Sequence, residues 1–579
     1  MNQVEASYHE SLVVQWNNRP DVLDGTREHK VLFTRTPLLY EYDAMLGEQL
    51  LRGEPVSENE AFSRYFARIQ EGYPEYWQLL LKLDEQRRRH CPEAVEAFSD
   101  RRLQVIIPAY REGENVERFC KNLKQQFEET PDNWGVTYVF NHEIPYKNAY
   151  EMSAARAMEK GIRKFLDTNP QFRSRIDFVS YTTRHSMQTP ILPTAMARKV
   201  GEDLTMLNCL QGQRSNSRSL YLGQTDMDID LLPGIIQDAL KRLPSTENGL
   251  PVIVRARGSI DRDLVRCNPH MFVFEMVWEE GISAIGRLTH HNPFAIGRFA
   301  IFPAREYALT GGGMTRQLRF YDEDMRKGVQ IAWRFPIQTF ETDKIYAHSD
   351  RREIHLMNRL RNMVRQKDGK FTVEVLETAA MIRLYNNRGD WATHDYREDL
   401  GNVSLASTSL ETSSLDDLEA FSREVPSPLI EAMVNAWCRF TLFSMFAIDK
   451  LWGNPDAIEI RELRNRFLTG EYAYLDIQLA TYDFLRQLSH DKPERYKRLQ
   501  PVLKEIDQKA RIVIRQMLNK YNIRFTEKPT QEVYGLIKVP LGVQHDQQEE
   551  NVEIDAPFQI LPDQREFMDF IRQLVNAPR

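Results

Sequence analysis

Hydrophobic positions recur at two different spacings along the chain, and the changes between them divide the sequence into regions. Residues 1–99 are mostly polar, with apolar residues at helical spacing in 37–51 and in Tyr73–Arg89. From Leu103, short β-branched runs alternate with amphipathic segments, which is typical of a mostly parallel α/β sheet. From about residue 356 helical spacing dominates again. The pattern predicts a helical N-terminal appendage (1–99), an α/β domain (100–355) and a mainly helical C-terminal domain (356–579).

Four segments of the α/β region have the composition of buried strands, because their apolar residues are largely β-branched or aromatic. Segments with apolar residues at helical spacing separate them and predict the helices that connect parallel strands. The predicted strands are 103–108, 135–140, 176–181 and 219–228, and the predicted helices begin near Val116, Glu151, Thr194 and Ile235.

Composition indicates an ordinary soluble protein of several domains. The chain has 579 residues, of which 42% are hydrophobic and 27% charged, with a net charge of −7 that argues against a general nucleic-acid binder. Its five cysteines are scattered without a Cys-x-x-Cys pair, which favours a reducing compartment. The N-terminus lacks the apolar core of a secretory signal, and the apolar run Phe440–Ile448 is too short to span a bilayer. We therefore expect a cytoplasmic protein without stable membrane insertion.

The strongest candidate chemistry lies at the end of the fourth predicted strand. Asp226 and Asp228 follow an apolar run, and residues two apart on an extended chain point to one side. Ligands of open α/β sheets collect outside the carboxyl ends of the strands, and one or two carboxylates plus substrate phosphates are the usual ligands of Mg²⁺ or Mn²⁺. An Asp-x-Asp triplet is also common on solvated turns, so the metal site and the plain turn both remain open on this pattern alone.

Several segments, taken in order, resemble the motifs of family 2 glycosyltransferases with the GT-A fold. Val105–Glu112 is similar to the opening strand that seats the nucleotide in that family, and Asp226–Asp228 matches its metal-binding motif. The remaining similar segments are Ala197–Arg198, which precedes that motif, Arg305–Gly313 near the transferred sugar, Tyr321–Asp324 with the catalytic base, and His348–Arg352, which closes over the pyrophosphate. The resemblance covers roughly residues 102–355 and implies a GT-A catalytic domain, Rossmann-like with a mostly parallel sheet.

The resemblance also assigns roles to individual residues. It implies a divalent ion, Mn²⁺ or Mg²⁺, on Asp226 and Asp228, and His348 is a candidate third ligand through its neutral imidazole. Asp324, or Glu323 in its place, is the candidate general base that takes the proton of the acceptor hydroxyl. A UDP- or GDP-linked sugar donor is expected to contact Pro108, Ala109, Tyr110, Glu112, Asn141, Arg198, Asp226, Gly312, Gly313, Arg351 and Arg352.

The sequence departs from the family pattern at informative positions. Asn141 stands where many members have an aspartate that reads the base or ribose, and Arg111 replaces the usual asparagine after the tyrosine. The motif and membrane helices of processive members are absent, which favours an enzyme that adds one sugar at a time. The acceptor is left open among a glycan, a small metabolite, a protein and a modified nucleobase.

Each of these motifs also has a structural explanation. The acids at 322–324 suit the first turn of a helix, Gly311–Gly313 suits a plain turn, and His348 and the Arg351–Arg352 pair suit a solvated surface. Two other functions compete: a nucleotidyltransferase, which should carry a glycine-rich basic loop after its first strand, and an inactive nucleotide- or carbohydrate-binding module. The C-terminal helical domain is a candidate either for shaping the acceptor site or for joining copies of the chain.

Overall fold

The computed structural model describes residues 12–15, 30–32, 56–260, 299–312, 327–348 and 447–520, with internal gaps of which the longest are 185–192, 213–218 and 469–479. The chain divides into two compact units. The first unit comprises Met1–Gly258, Pro293–Ala347 and Leu468–Glu471, and the second comprises Ser259–Asn292, His348–Phe467 and Tyr472–Arg579. The first unit contains the sheet.

The fold is mixed α/β, with a mostly parallel sheet as expected. Its described strands are Leu12–Gln15 (β1), Lys30–Leu32 (β2), Leu103–Ala109 (β3), Trp134–Ile144 (β4), Ile176–Arg184 (β5), Tyr221–Thr225 (β6), Val252–Ile260 (β7), Phe299–Pro303 (β8) and Gln338–His348 (β9). Among the described residues they form one sheet of nine strands in the order β2-β1-β5-β4-β3-β6-β8-β7-β9.

Strand β3 lies at the centre of this strand order, and each of its seven residues is buried. It pairs in parallel with β4 on one side and β6 on the other, so that Ile106 is opposite Thr137 and also opposite Gln224. Strand β8 runs antiparallel to β6 and β7, whereas β1, β2, β4 and β5 follow the parallel direction of β3. The carboxyl ends of β3, β4 and β6 therefore meet at the same edge of the sheet.

Helices cover both faces of the sheet. One face is packed by Pro92–Glu96 (α3), Val116–Glu129 (α4), Ala149–Thr168 (α5) and Ile235–Arg242 (α7), with Val105, Ile107 and Tyr221 in the shared core. Apolar residues of α4 at Val116, Phe119, Cys120 and Leu123 recur at helical spacing, and all four are buried. The two-sided packing is that of a doubly wound sheet.

On the opposite face of the sheet, the N-terminal helices take part in the core. Helices Glu58–Gly72 (α1) and Pro74–His90 (α2) share a core with Pro193–Gln211 (α6), Ala304–Leu309 (α8) and the strand residues Ile106 and Leu222. Ser57 is the N-cap of helix α1, since its Oγ accepts a hydrogen bond from the Glu60 N–H at 3.2 Å. The polar outer faces of α1 and α2 conceal this contribution in the sequence.

The second compact unit contains most of Ile458–Leu468 (α9) and the long helix Pro493–Lys520 (α10), in agreement with its helical pattern. Arg495 of α10 donates two hydrogen bonds to the Glu459 carboxylate of α9, one of them at 2.7 Å. Arg498 also binds Asp456 at 2.8 Å, just before α9. None of the helices in the described part of the chain is both long and apolar enough to cross a membrane.

Candidate functional site

Alternation along β6 points every second side chain toward α6, and these side chains change from apolar to polar toward the end of the strand. Leu222 packs in the core beneath α6, whereas Tyr221 packs on the opposite face. Gln224 is buried on the α6 side, and Asp226, two residues further on, follows the end of the strand. The period of two thus places the first carboxylate of the Asp-x-Asp motif at the carboxyl end of β6, facing α6.

Arg198 of α6 meets this carboxylate directly. Its Nη2 donates a hydrogen bond to Asp226 Oδ1 at 2.6 Å. The Arg198 side chain is 5% exposed and that of Asp226 is 33% exposed, so the guanidinium is held inside while the carboxylate reaches solvent. Arg198 and Asp226, both predicted to contact the nucleotide-sugar donor, are therefore in contact with each other.

Three further residues that were predicted to contact the donor lie on the neighbouring strands. Pro108 and Ala109 end β3, are buried, and are opposite Val139 and Phe140 of β4. Asn141 continues β4, is 1% exposed, and is opposite Tyr181 of β5. Because Asn141 is within the sheet, its side chain is part of the buried layer below the strand ends.

Some predicted site residues lie outside the described part of the chain. His348 is the last residue of β9, and only its backbone is described. The others are Tyr110, Glu112, Asp228, Gly313, Glu323, Asp324, Arg351 and Arg352. Their assigned roles stay predictions.

The glycine turn, Gly311–Gly312, ends helix α8. Gly312 N–H donates to Tyr307 O at 3.1 Å and Gly311 N–H donates to Ala308 O at 3.0 Å, the two hydrogen bonds of a Schellman cap. Their φ angles are 88° and 85°, in the left-handed region that favours glycine. A Cβ on Gly312 would lie 2.7 Å from Tyr65 Oη and 3.1 Å from Lys199 Nζ. Helix termination and close approach to α1 and α6 thus both require glycine here.

Lys199 is the centre of a buried polar cluster behind this turn. Its Nζ lies 2.9 Å from Asp203 Oδ2 and donates to Tyr65 Oη at 2.5 Å. Tyr65 and Tyr76 both donate to the Asp203 carboxylate, at 2.7 and 2.6 Å. Burial, reinforced by the negative charge of Asp203, raises the pKa of Tyr76 well above its usual value. The Tyr76 hydroxyl therefore remains a protonated donor, and the hydrogen bonds to Asp203 connect the N-terminal helices to α6.

Glu202, one turn after Arg198, is the centre of a second buried cluster. One carboxylate oxygen pairs with Lys327 Nζ, and the other accepts a hydrogen bond from Tyr307 Oη at 2.6 Å. Lys327 Nζ also donates to Gln224 Oε1 at 3.3 Å. Burial and the charge of Glu202 raise the pKa of Tyr307 well above its usual value. Glu202 therefore connects α6 to α8 and to Lys327, which in turn contacts β6.

Sequence reasoning missed these clusters, although α6 carries a signal for them. Apolar residues occur on every side of this helix, as in a helix buried all round. Charged residues in such a helix are rarely buried unless they are paired. Lys199 and Asp203, four residues apart, predict one internal pair, but nothing in the sequence identifies Tyr65 or Lys327 as partners.

A further cluster of charged side chains, centred on Glu159 of α5, lies beside β4. His142 Nε2 lies 3.6 Å from Glu159 Oε2, and Arg163 Nη2 donates to Glu159 Oε1 at 2.7 Å. Burial alone would raise the pKa of Glu159, but the hydrogen bonds from His142 and Arg163 lower it to about 2. The carboxylate is therefore ionised throughout the neutral range and stabilises the packing of α5 on β4.

Among the described residues, Asp226 is suited to bind a divalent ion. Asp226 offers a partly exposed carboxylate at the strand end, a hard oxygen donor of the kind that Mg²⁺ and Mn²⁺ prefer. Within the described ranges no three His, Cys, Asp or Glu side chains form a group that could hold a metal ion. The other two predicted ligands, Asp228 and His348, stay predictions.

Comparison with known proteins leaves the family open. No protein-family model matches the sequence, and no curated protein matches it. One similar solved structure is the mannosyltransferase PcManGT from Pyrobaculum calidifontis in complex with GDP-Man and Mn²⁺. It is 12% identical, covers 66% of this chain and 99% of its own, and superposes with a TM-score of 0.30.

Proposed function

We propose that this chain is a metal-dependent glycosyltransferase that moves one sugar from a nucleotide-sugar donor to an acceptor hydroxyl with inversion. The observation that carries the proposal is the contact of Arg198 with Asp226 at the carboxyl end of β6, beside the end of β3. Ligands of open α/β sheets bind outside this edge. The order of the family-like motifs along the chain supports the same assignment.

The donor diphosphate needs positive charge as it leaves. Mn²⁺ or Mg²⁺ would be held by Asp226, Asp228 and His348 and, when bound, would supply Lewis-acid stabilisation of the leaving diphosphate. Arg198 holds the Asp226 carboxylate in one orientation from a buried position. In this proposal Arg351 and Arg352 add donors for the phosphate oxygens, since guanidinium groups bind them bidentately.

Transfer is proposed as a single displacement at the anomeric carbon. The acceptor oxygen forms its bond to that carbon while the bond to the diphosphate oxygen breaks on the opposite face. Asp324, or Glu323 in its place, takes the proton of the acceptor hydroxyl. The nucleoside diphosphate leaves with the electron pair of the broken bond. The Gly311–Gly313 stretch carries no side chain that would keep the sugar from the backbone.

The donor is proposed to be UDP- or GDP-linked, and the acceptor class stays open among glycan, small metabolite, protein and modified nucleobase. A panel of UDP-, GDP- and dTDP-sugars with Mn²⁺ or Mg²⁺ tests the assignment through slow donor hydrolysis. We expect hydrolysis only of donors that carry one particular base. The product should be the nucleoside diphosphate, and Asp228→Ala should abolish the reaction. Metal-dependent release of pyrophosphate from a nucleoside triphosphate and a sugar phosphate would indicate a nucleotidyltransferase instead. Nucleotide binding that is unaffected by the metal would indicate an inactive module.

The candidate base is tested separately from the metal ligands. Asp324→Asn should lower transfer to an identified acceptor by about 10²-fold or more, because that is the usual contribution of a general base. Its affinity for the donor should stay unchanged. Unchanged transfer in this variant would remove Asp324 from the mechanism.

A further inference from the structure

Helix α6 contacts three parts of the proposed site through side chains within one and a half turns. Arg198 binds Asp226 at the end of β6. Lys199 lies behind Gly312, 3.1 Å from where a Cβ on that glycine would be. Glu202 pairs with Lys327, which follows the candidate base Asp324 by three residues. One rigid element therefore reaches the metal-side carboxylate, the glycine turn and the segment that leads to the base.

Glu202 is the junction of these contacts. Both of its carboxylate oxygens are used: one pairs with Lys327, and the other accepts from Tyr307 of α8, the helix that ends in the glycine turn. Lys327 reaches onward to Gln224, two residues before Asp226 on β6. Glu202 and Gln224 are fully buried and Lys327 is 2% exposed.

Burying such a pair adds little net stability. Ions lose their hydration when they are buried, and well-packed apolar residues of similar volume often stabilise a protein as much or more. A pair of buried charges does, however, fix direction and distance, because an unmatched charge in the interior is strongly disfavoured. The Glu202–Lys327 pair is therefore better suited to positioning than to stabilisation.

We propose that Glu202 is a positioning residue that acts through Lys327 and Tyr307. It fixes the glycine turn and Lys327 in register with β6, the strand that leads to Asp226, so that donor and base are correctly spaced. The role in catalysis rests on the proposed function, whereas the mechanical coupling does not.

Steady-state kinetics of the full chain separate positioning from stability. Lys327→Met and Glu202→Met should each lower kcat by roughly 10- to 100-fold, a typical effect of misplacing a catalytic group, with the donor KM changed less than about threefold. In the double variant kcat should be no lower than in the worse single variant, because either change breaks the same pair. Arg87→Met is the matched control, since Arg87 is fully buried and paired with Asp84 at 2.6 Å without contacting the site. It should lower Tm while leaving kcat unchanged.

Hydrogen exchange measured by mass spectrometry tests the coupling without turnover. Lys327→Met should accelerate exchange in peptides covering 221–227 and 305–312, and Arg87→Met should not. If the wild-type chain processes no donor, the proposed function fails, and the exchange result still decides whether the coupling exists. Unchanged exchange in both peptides would overturn the coupling. If the enzyme is active and these variants alter hydrogen exchange but leave kcat unchanged, the positioning role is overturned and Glu202 is only structural.

Discussion

Replacing Gly312 with alanine tests the packing of the glycine turn against α1 and α6. The backbone of Gly312 has φ of 85°, which costs an L-residue about 1–2 kcal/mol. The new Cβ would also lie 2.7 Å from Tyr65 Oη, too close for any real contact. Tyr65 cannot move freely, because its hydroxyl donates to Asp203 at 2.7 Å and accepts from Lys199.

The expected loss of stability is the sum of these two effects. Displacing Tyr65 weakens a hydrogen bond to a charged group, which is worth about 1.5–3 kcal/mol. Gly312→Ala should therefore destabilise the first compact unit by about 2.5–5 kcal/mol. Tm should fall by roughly 4–8 °C, because the unfolding entropy of so large a unit is high. The assay is calorimetric unfolding of the full chain, with near-UV circular dichroism to follow tertiary packing.

Two variants make this result specific. In a Tyr65→Phe background the hydroxyl is absent, so the cost of Gly312→Ala should fall by about 1.5–3 kcal/mol. The backbone strain and the contact of the new Cβ with Lys199 Nζ at 3.1 Å remain. Gly72→Ala is the matched control in the same unit, since a Cβ there would meet nothing within 4 Å. It should be neutral or slightly stabilising. A stable Gly312→Ala, or an equal loss in both backgrounds, would refute the packing argument.

Three further predictions concern charge and burial. Arg198→Met should weaken nucleoside diphosphate binding at least about 10-fold by titration calorimetry, because it releases the Asp226 carboxylate that it holds at 2.6 Å; unchanged binding would exclude this role. The pKa of Glu159 is lowered to about 2, so its ionised carboxylate should add roughly 3 kcal/mol to the free energy of unfolding at pH values above its unfolded-state pKa. This contribution should disappear as the pH falls toward 2. Urea unfolding of wild type and Glu159→Gln should then differ at pH 7 and converge toward pH 2, whereas a constant difference would argue against it. Burial raises the pKa of Cys91 and of Cys120 to about 12, so both thiols should resist iodoacetamide at pH 8 until the chain is unfolded, as mass spectrometry can follow; rapid native labelling would contradict their burial.

The sequence was sufficient to predict the centre of the sheet. Leu103–Ala109 is a run of apolar residues that are buried on both faces, and Val116–Glu129 shows a clear helical stripe after it. Alternation toward Asp226 also predicted the position of the strand-end carboxylate. These features depend on spacing within one element, which can be seen in the sequence.

Features that depend on contacts between distant segments were not predicted. Strand β8 has five residues and runs antiparallel within a mainly parallel sheet, so no local pattern indicates its place. Tyr65 meets Asp203 across 138 positions and Lys327 meets Glu202 across 125, which only the folded chain brings together. The packing of α1 and α2 on the sheet was not predicted either, because the many charged residues on these helices make this part of the sequence look mostly polar.

The most direct test of the central claim is the location of a bound metal and nucleotide. Crystals soaked with Mn²⁺ and the preferred nucleoside diphosphate should show manganese, identified by its anomalous signal, bonded to a carboxylate oxygen of Asp226 or Asp228 and to the diphosphate. Asp228→Ala crystals treated in the same way should show neither at this position. Manganese and nucleotide bound away from the end of β6, or absent from the wild-type crystals, would contradict the proposed enzyme.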